Sequence, residues 1–230
     1  MNFAIAARVG FALAYPPLAY WATRADTGAA AAIALADLAL VFLIDPLWRG
    51  RIWAWGLTVV LGAGLWAMAR TGLAQLALLL PPVLILALLA WLFGRSLRAP
   101  RQALITRIVA ALHECSPAQL PPELLQYTRR LTAAWALVLA MLGVVNGVLA
   151  LCEVPGGVLA RLGHPPAWGI AREQGALLAN LVNYGVLVGF FVGEYLLRHR
   201  WIKEVPYRDF ADFVHRMARL GPAFWRGLFR

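Results

Sequence analysis

The chain alternates long apolar segments with short polar ones, apart from one long polar segment in its interior. Six segments of roughly 20 residues are almost free of charge, and this is the length that an α-helix needs to cross about 30 Å of hydrocarbon. They cover residues 3–21, 28–47, 52–69, 73–93, 131–152 and 175–197. The pattern therefore predicts an all-α, polytopic membrane helix bundle that forms a single membrane domain over residues 1–230.

The polar interior segment, residues 94–130, contains six arginines and no lysine. We call it the basic loop. Five of its apolar residues recur at helical spacing, which is typical of an amphipathic helix that lies along a membrane surface. They are Leu104, Ile105, Ile108, Val109 and Leu112. The tail, residues 198–230, repeats this pattern of an apolar stripe with flanking arginines, so the loop and the tail are both predicted to be interfacial.

The distribution of basic residues predicts the orientation of the spans. With both termini in the cytoplasm, sixteen Lys and Arg residues lie on the cytoplasmic side and four lie outside. The four outside are Arg24, Arg70, Arg161 and Arg172. Because cytoplasmic loops of membrane proteins are enriched in Lys and Arg, this asymmetry favours six spans with cytoplasmic ends. The N-terminal segment lacks a basic start and a small-residue cleavage site, so we interpret it as a retained first span.

Composition supports this interpretation and restricts the partners. The chain is 62% hydrophobic and 14% charged, with a mean hydropathy of +0.69, which is outside the range of soluble domains. The net charge of +10 does not indicate nucleic-acid binding, because the arginines adjoin apolar spans, where anionic lipid headgroups are the nearer partners. Cys115 and Cys152 are predicted on opposite membrane faces, so no disulfide is expected.

Two predicted spans contain double prolines, Pro16–Pro17 and Pro81–Pro82. Proline removes a helical donor and clashes with the preceding turn, so both helices are expected to kink or break near mid-membrane. One interpretation is a packing kink. The other is a cavity lined by broken helices, as in transporters with inverted repeats.

The last span has two distinct faces. The polar face needs partners inside the protein, whereas the glycine face allows a second helix to approach closely. The polar face carries Asn180, Asn183, Leu187, Phe191 and Glu194, and the glycine face carries Gly185, Gly189 and Gly193. Gly143 and Gly147, which flank Asn146 in the fifth predicted span, offer a counterpart for this helix.

Charges inside the predicted spans are costly and call for partners. Arg8, Asp45 and Glu194 lie at similar depth, so Arg8 is expected either to pair with one of the two carboxylates or to contribute to a polar site for a headgroup or thioester. Asp37 lies deeper. It is either a protonated or hydrogen-bonded residue that faces Asn146 or Asn183, or a proton relay or substrate-binding carboxylate.

Standard enzyme motifs are absent from the sequence, and neither a cofactor nor a metal site is expected. His113 is the only candidate general base on the basic loop. The arginines serve either for topology and lipid binding or as an anion site for phosphopantetheine, a lipid phosphate or an acidic carrier protein. They are Arg95, Arg98, Arg101, Arg107, Arg129 and Arg130.

Three segments resemble a family of predicted bacterial inner-membrane proteins found with aryl polyene and xanthomonadin-type pigment genes. They read GRSLRAPRQALITRIVAALHE, LPPELLQYTRRLTAAWALVLAML and GEYLLRHRWIKEVPYRDFADFVHRM. Members are sometimes labelled ketosynthase, although nothing in this chain is similar to a thiolase-fold ketosynthase. The resemblance spans residues 94–140 and 180–217, and it carries no assigned catalytic residues.

The resemblance implies a setting of acyl chains on carrier protein, acyltransferases and delivery of a polyene lipid to the envelope. The expected function is an accessory membrane component that docks an acyl carrier protein or partner enzymes on its basic surface and accommodates an acyl or aryl chain. The alternatives are a transporter or flippase for a lipid-like or aryl substrate, and a membrane acyltransferase with a site near His113.

Overall fold

The fold was examined in a computed structural model that describes residues 3–98, 100, 102–201, 215, 219 and 224. The chain forms two compact units, Met1–Pro81 and Pro82–Arg230. The predicted all-α fold is confirmed, since nearly every described element is a helix. That the whole chain acts as one membrane domain stays a prediction.

The first unit consists of four helices and the start of a fifth. They are α1 (Phe3–Ala25), α2 (Gly28–Trp48), α3 (Ile52–Thr71), α4 (Leu73–Leu78) and α5 (Leu80–Ser96). The core of this unit is built mainly of alanine, so the helix backbones approach each other closely. Its buried residues are Ala22, Ala30, Ala31, Ala34, Ala74 and Leu78.

The turns of the first unit explain where its helices begin and end. The Thr27 hydroxyl accepts a hydrogen bond from the Ala30 amide at 3.3 Å and caps α2. Gly28 lies so close to the Ala69 carbonyl that a Cβ atom would overlap it. Gly72, with a φ of +75°, separates α3 from α4 in a conformation that favours glycine.

Only one of the two double prolines breaks its helix. α1 is continuous through Pro16 and Pro17, so the predicted interruption is not a break there. In the fourth predicted span, Leu79 separates α4 from α5, and Pro81 and Pro82 lie in the first turn of α5. The first turn has no helical acceptors for its N–H groups, so proline is tolerated at this position.

The second unit holds the remaining elements. They are α6 (Leu104–Leu112), a 3₁₀ turn (Pro117–Gln119), α7 (Pro122–Cys152), β1 (Glu153–Val154), α8 (Val158–Arg161), β2 (Ile170–Ala171), α9 (Arg172–Asn180), a π-helical segment (Leu181–Gly185) and α10 (Val186–Trp201). The two short strands pair in parallel and close the connection between α7 and α9. α6 confirms the predicted helix in the basic loop, and α7 begins inside that loop and continues into the fifth predicted span.

Five helical segments in the described part of the chain are long and apolar enough to cross a membrane. They are Gly28–Trp48, Ile52–Thr71, Leu73–Ser96, Pro122–Cys152 and Arg172–Glu194. These segments match the second to sixth predicted spans. The first predicted span is the 23-residue helix α1, which is not among the five. Most of the tail lies outside the described residues, so its amphipathic helix stays a prediction.

Candidate functional site

Two threonines join α6 to the first half of α7. The hydroxyl oxygens of Thr106 and Thr128 lie 2.7 Å apart, and both side chains are buried. Because the Thr128 hydroxyl donates to the Leu124 carbonyl at 2.8 Å, the hydrogen of the shared contact comes from Thr106. One turn later, the Thr132 hydroxyl accepts a hydrogen bond from the Ile105 amide at 3.3 Å. α6 is therefore held on α7 by buried polar contacts as well as by apolar packing.

The end of α5 is fixed to the same assembly. The Ser96 hydroxyl donates to the Phe93 carbonyl at 2.7 Å and accepts a hydrogen bond from the Leu104 amide at 3.0 Å. It thereby satisfies a free amide at the start of α6. The Arg129 guanidinium donates to the Leu97 carbonyl at 3.2 Å, just beyond the end of α5. The end of α5, α6 and the start of α7 are thus linked by side-chain to backbone bonds.

This assembly carries five described arginines, which we call the arginine surface. They are Arg95, Arg98, Arg107, Arg129 and Arg130. Arg98, Arg129 and Arg130 are exposed, and no salt bridge to another described residue involves them. The Arg95 guanidinium lies over the Trp91 ring, 4.6 Å from its centroid. Arg101 lies outside the described residues.

The candidate general base His113 terminates α6 and is exposed. The next residue, Glu114, has a φ of +53°, so the chain turns sharply away from the helix. Within the described part of the chain, no hydrogen bond orients the His113 ring, and no group of three His, Cys, Asp or Glu side chains could hold a metal ion. The geometry thus provides none of the neighbours that usually activate a catalytic histidine.

The amides of Asn146 and Asn183 form a reciprocal pair. The Asn146 Nδ2 atom donates to Asn183 Oδ1 at 2.7 Å, and the Asn183 Nδ2 atom donates to Asn146 Oδ1 at 3.1 Å. Asn146 Nδ2 also donates to the Leu142 carbonyl within α7. Asn183 lies in the π-helical segment, and such segments are often found at functional sites. The pair satisfies both amides inside an apolar bundle.

A second polar contact joins the same helices towards the other end. The Tyr127 hydroxyl donates to Glu194 Oε1 at 2.8 Å, and Glu194 is only 8% exposed. Between the two polar contacts, the Trp135 ring meets Phe190 edge to face at a centroid distance of 4.7 Å. The polar face of the last span therefore packs on α7. The Asn180 side chain lies outside the described residues.

The glycine faces pack differently from the prediction. A Cβ atom at Gly143 would lie 3.6 Å from the Leu86 Cβ, and one at Gly147 would lie 3.9 Å from a Val83 methyl group. The small residues of α7 thus pack against α5 and not against the last span. A Cβ atom at Gly189 or Gly193 would meet no described atom within 4 Å. That face of α10 has no partner helix among the described residues.

The predicted pairing of Arg8 with Asp45 is not found. Asp45 Oδ2 instead lies 3.2 Å from the Arg49 Nε atom, one helical turn away in the sequence. Arg8 is exposed. The Asp45 carboxylate thus has a local partner, and the spacing of four residues was the signal for it.

Asp37 lies in the middle of α2 and is 7% exposed. Its Oδ2 atom is buried and has no hydrogen-bond partner among the described residues. The Tyr15 phenol on α1 lies close enough for the two groups to interact electrostatically. The two amides that the sequence offered as partners for Asp37, Asn146 and Asn183, bind each other.

The connection between α7 and α9 contains a partly buried ion pair. The Arg172 Nε atom lies 3.5 Å from Glu153 Oε1; Glu153 belongs to β1, and Arg172 follows β2 directly. The Arg161 Nε atom donates to the Gly156 carbonyl at 2.9 Å. Two of the four arginines predicted outside the membrane thus stabilise this connection.

Sequence reasoning missed Tyr127, Tyr15 and the buried threonines. Thr128 and Thr132 follow one another at a spacing of four residues, and that spacing was the available signal for a polar stripe on α7. Nothing in the sequence distinguished Tyr127 or Tyr15 from the other aromatic residues of the chain. Neither a protein-family model, a characterised protein nor a solved structure shows significant similarity to this chain.

Proposed function

We propose that this chain is an accessory inner-membrane protein whose arginine surface docks an acidic acyl carrier protein or a partner enzyme. In this proposal six spans cross the membrane, both termini are cytoplasmic, and the bundle accommodates an acyl or aryl chain. The observation that carries the proposal is the arginine surface itself. Five arginines are mounted on helix ends that Thr106, Ser96 and Arg129 fix by hydrogen bonds.

The charge distribution supports the cytoplasmic placement of this surface. In a six-span topology the basic loop and the tail share one side of the membrane, and sixteen of the Lys and Arg residues lie there. The same orientation puts the partly buried pair of Glu153 and Arg172 outside.

The packing of α1 supports six spans over five. At 1.5 Å per residue its 23 residues extend about 34 Å, enough to cross the hydrocarbon. Leu18, Ala19 and Ala22 pack against the alanine core that α1 shares with α2. A helix of this length beside a spanning helix is best accommodated as its antiparallel neighbour in the bilayer.

The exposure of the arginines supports a partner that is acidic. A single exposed ion pair contributes only about 0.2–1 kcal/mol, so docking requires several arginines that act together. The guanidinium group presents a planar fork of donors that matches carboxylate and phosphate groups. An acyl carrier protein offers both, as acidic side chains and as its phosphopantetheine phosphate. The resemblance to pigment-associated membrane proteins favours this partner over other acidic proteins.

The test measures binding of acyl carrier protein to the full chain in nanodiscs made of zwitterionic lipid only. One triple variant carries glutamate in place of Arg98, Arg129 and Arg130. We expect at least about a tenfold loss of affinity, because three contacts of about 0.5 kcal/mol are removed and replaced by repulsion. The control reverses Arg24 and Arg70, which are also exposed but lie on the opposite side in this topology, and it is compared with a second variant that reverses only Arg98 and Arg130.

Equal binding by the triple variant and the wild-type chain would exclude docking on the arginine surface. Equal losses of affinity in the charge-reversal variants of the two sides would show that binding depends only on the net charge of the chain. Addition of anionic lipid should weaken binding, because its headgroups compete for the same guanidinium groups.

Transport of a lipid-like or aryl substrate is a second candidate. The helix interruption at Leu79 and the π-helical segment around Asn183 favour it, since irregular backbone inside a bundle often borders a substrate path. Transport of an aryl precursor in proteoliposomes should then fall in Asn183→Leu and Glu194→Gln. Unchanged flux in both variants would exclude transport along this path.

A further inference from the structure

The Asp37 carboxyl group is a buried polar group whose role the proposed function does not explain. It lies nine residues into α2, about 14 Å from the start of the helix at 1.5 Å per residue. Its side chain is 7% exposed, and its Oδ2 atom has neither solvent contact nor a described hydrogen-bond partner. A buried carboxylate without a counter-charge is strongly disfavoured in an apolar medium, so this geometry calls for a ligand on the oxygen.

A polar group lies at the same depth on α1. Tyr15 lies ten residues before the end of α1, about 15 Å from the connection to α2. α1 and α2 pack side by side through their alanines, so the half-buried Tyr15 lies at the level of Asp37.

Among the described residues of the first unit, no cation lies near this depth. The remaining charged residues of the described helices and turns lie towards the helix ends. They are Arg8, Arg24, Asp26, Asp45, Arg49, Arg51 and Arg70. α3 contributes only Arg70, at its end, and α4 contributes no titratable side chain.

We propose that Asp37 is a reversible proton-binding site in the middle of the membrane, with Tyr15 as the polar residue beside it. A bound proton removes the charge that the apolar core cannot support. The site is independent of the arginine surface, which lies entirely on the second unit.

Dicyclohexylcarbodiimide, an apolar reagent that attacks protonated carboxyl groups within membranes, tests the proposal. The acid proton passes to a carbodiimide nitrogen and the carboxyl oxygen bonds to the central carbon. The acyl group then migrates to nitrogen, and the whole reagent is retained as a stable N-acylurea. The full chain in proteoliposomes is labelled at acidic and alkaline pH, with sodium or potassium chloride, and mapped by mass spectrometry.

We expect one adduct at Asp37 that decreases as the pH rises and is the same in both salts. Asp37→Asn should lose the adduct, whereas the control Glu194→Gln should keep it, because Glu194 already accepts a hydrogen bond from Tyr127. No adduct at Asp37 in the folded chain would overturn the proposal. Suppression of the adduct by sodium but not by potassium would overturn the proposal as well, since it would show that the Asp37 carboxylate binds a metal cation.

Infrared spectroscopy keeps the proposal testable if Asp37→Asn folds poorly. A carboxylic acid C=O band that shifts in heavy water, is retained in Asp37→Glu and is lost in Asp37→Ser would report the same proton directly. Wild-type protein without such a band at acidic pH would contradict a proton at this site.

Discussion

The Tyr127 hydroxyl donates a 2.8 Å hydrogen bond to Oε1 of Glu194, a carboxylate that is 8% exposed. This bond and the amide pair of Asn146 and Asn183 join α7 to the last span at two points that are far apart along the helices. The rotation of the last span about its own axis is thereby specified, because any other rotation would leave buried polar groups without partners.

Tyr127→Phe should destabilise the chain by about 1–3 kcal/mol, because it removes the donor from a buried carboxylate while it preserves the ring. The free energy of unfolding, measured by titration with denaturing detergent in mixed micelles, is the readout. Tyr184→Phe is the control, since that phenol is 68% exposed. A difference within about 0.5 kcal/mol of the wild-type value would show that the bond contributes little.

Thr128→Val should loosen α6 without a large change in shape. The substitution leaves the buried Thr106 hydroxyl without its acceptor, at a cost of about 1–3 kcal/mol. Hydrogen exchange of the amides in residues 104–112 should therefore accelerate about 5- to 150-fold. Thr58→Val serves as the control, because its hydroxyl only donates to the Ala54 carbonyl within α3. Equal exchange rates in the two variants would contradict the anchoring role of the threonine pair.

The positions of the helices could be predicted because hydropathy reports the environment of each segment by itself. Five spans and α6 follow from apolar length and periodicity alone. The start of α7 inside the basic loop also follows from the sequence, since proline is favoured in the first turn of a helix and the residues after Pro122 favour a helix.

The partners of the polar residues could not be predicted in the same way. Pairing depends on which helices are neighbours and on how each is rotated, and neither is encoded in hydropathy. Asp45 therefore pairs locally with Arg49, and Gly143 packs on α5. The π-helical segment around Asn183 could not be predicted from composition either, because it differs from an α-helix only in the spacing of its backbone hydrogen bonds.

Two glycines that look alike in sequence should respond differently to alanine. In Gly28→Ala the new methyl group overlaps the Ala69 carbonyl, a backbone atom that cannot rotate away, so we expect a loss of about 1–3 kcal/mol. Gly189→Ala adds a methyl group in open space and should be neutral or stabilising by up to about 1 kcal/mol. Detergent-induced unfolding of both variants checks the contrast. Similar changes in the two variants would show that the close approach at Gly28 does not control the response.

The first helix should cross the membrane, so that the chain spans it six times. The physical reason is the alanine packing between α1 and α2, which holds two helices of similar length side by side. Single cysteines are introduced at Thr23, at Ile52 and in a tag fused before Met1, in a background with Cys115→Ala and Cys152→Ala. A membrane-impermeant maleimide applied to intact cells should label only the position at Thr23, because the tag and Ile52 are cytoplasmic in six spans. Labelling of the tag from outside would show five spans, with α1 on the outer surface.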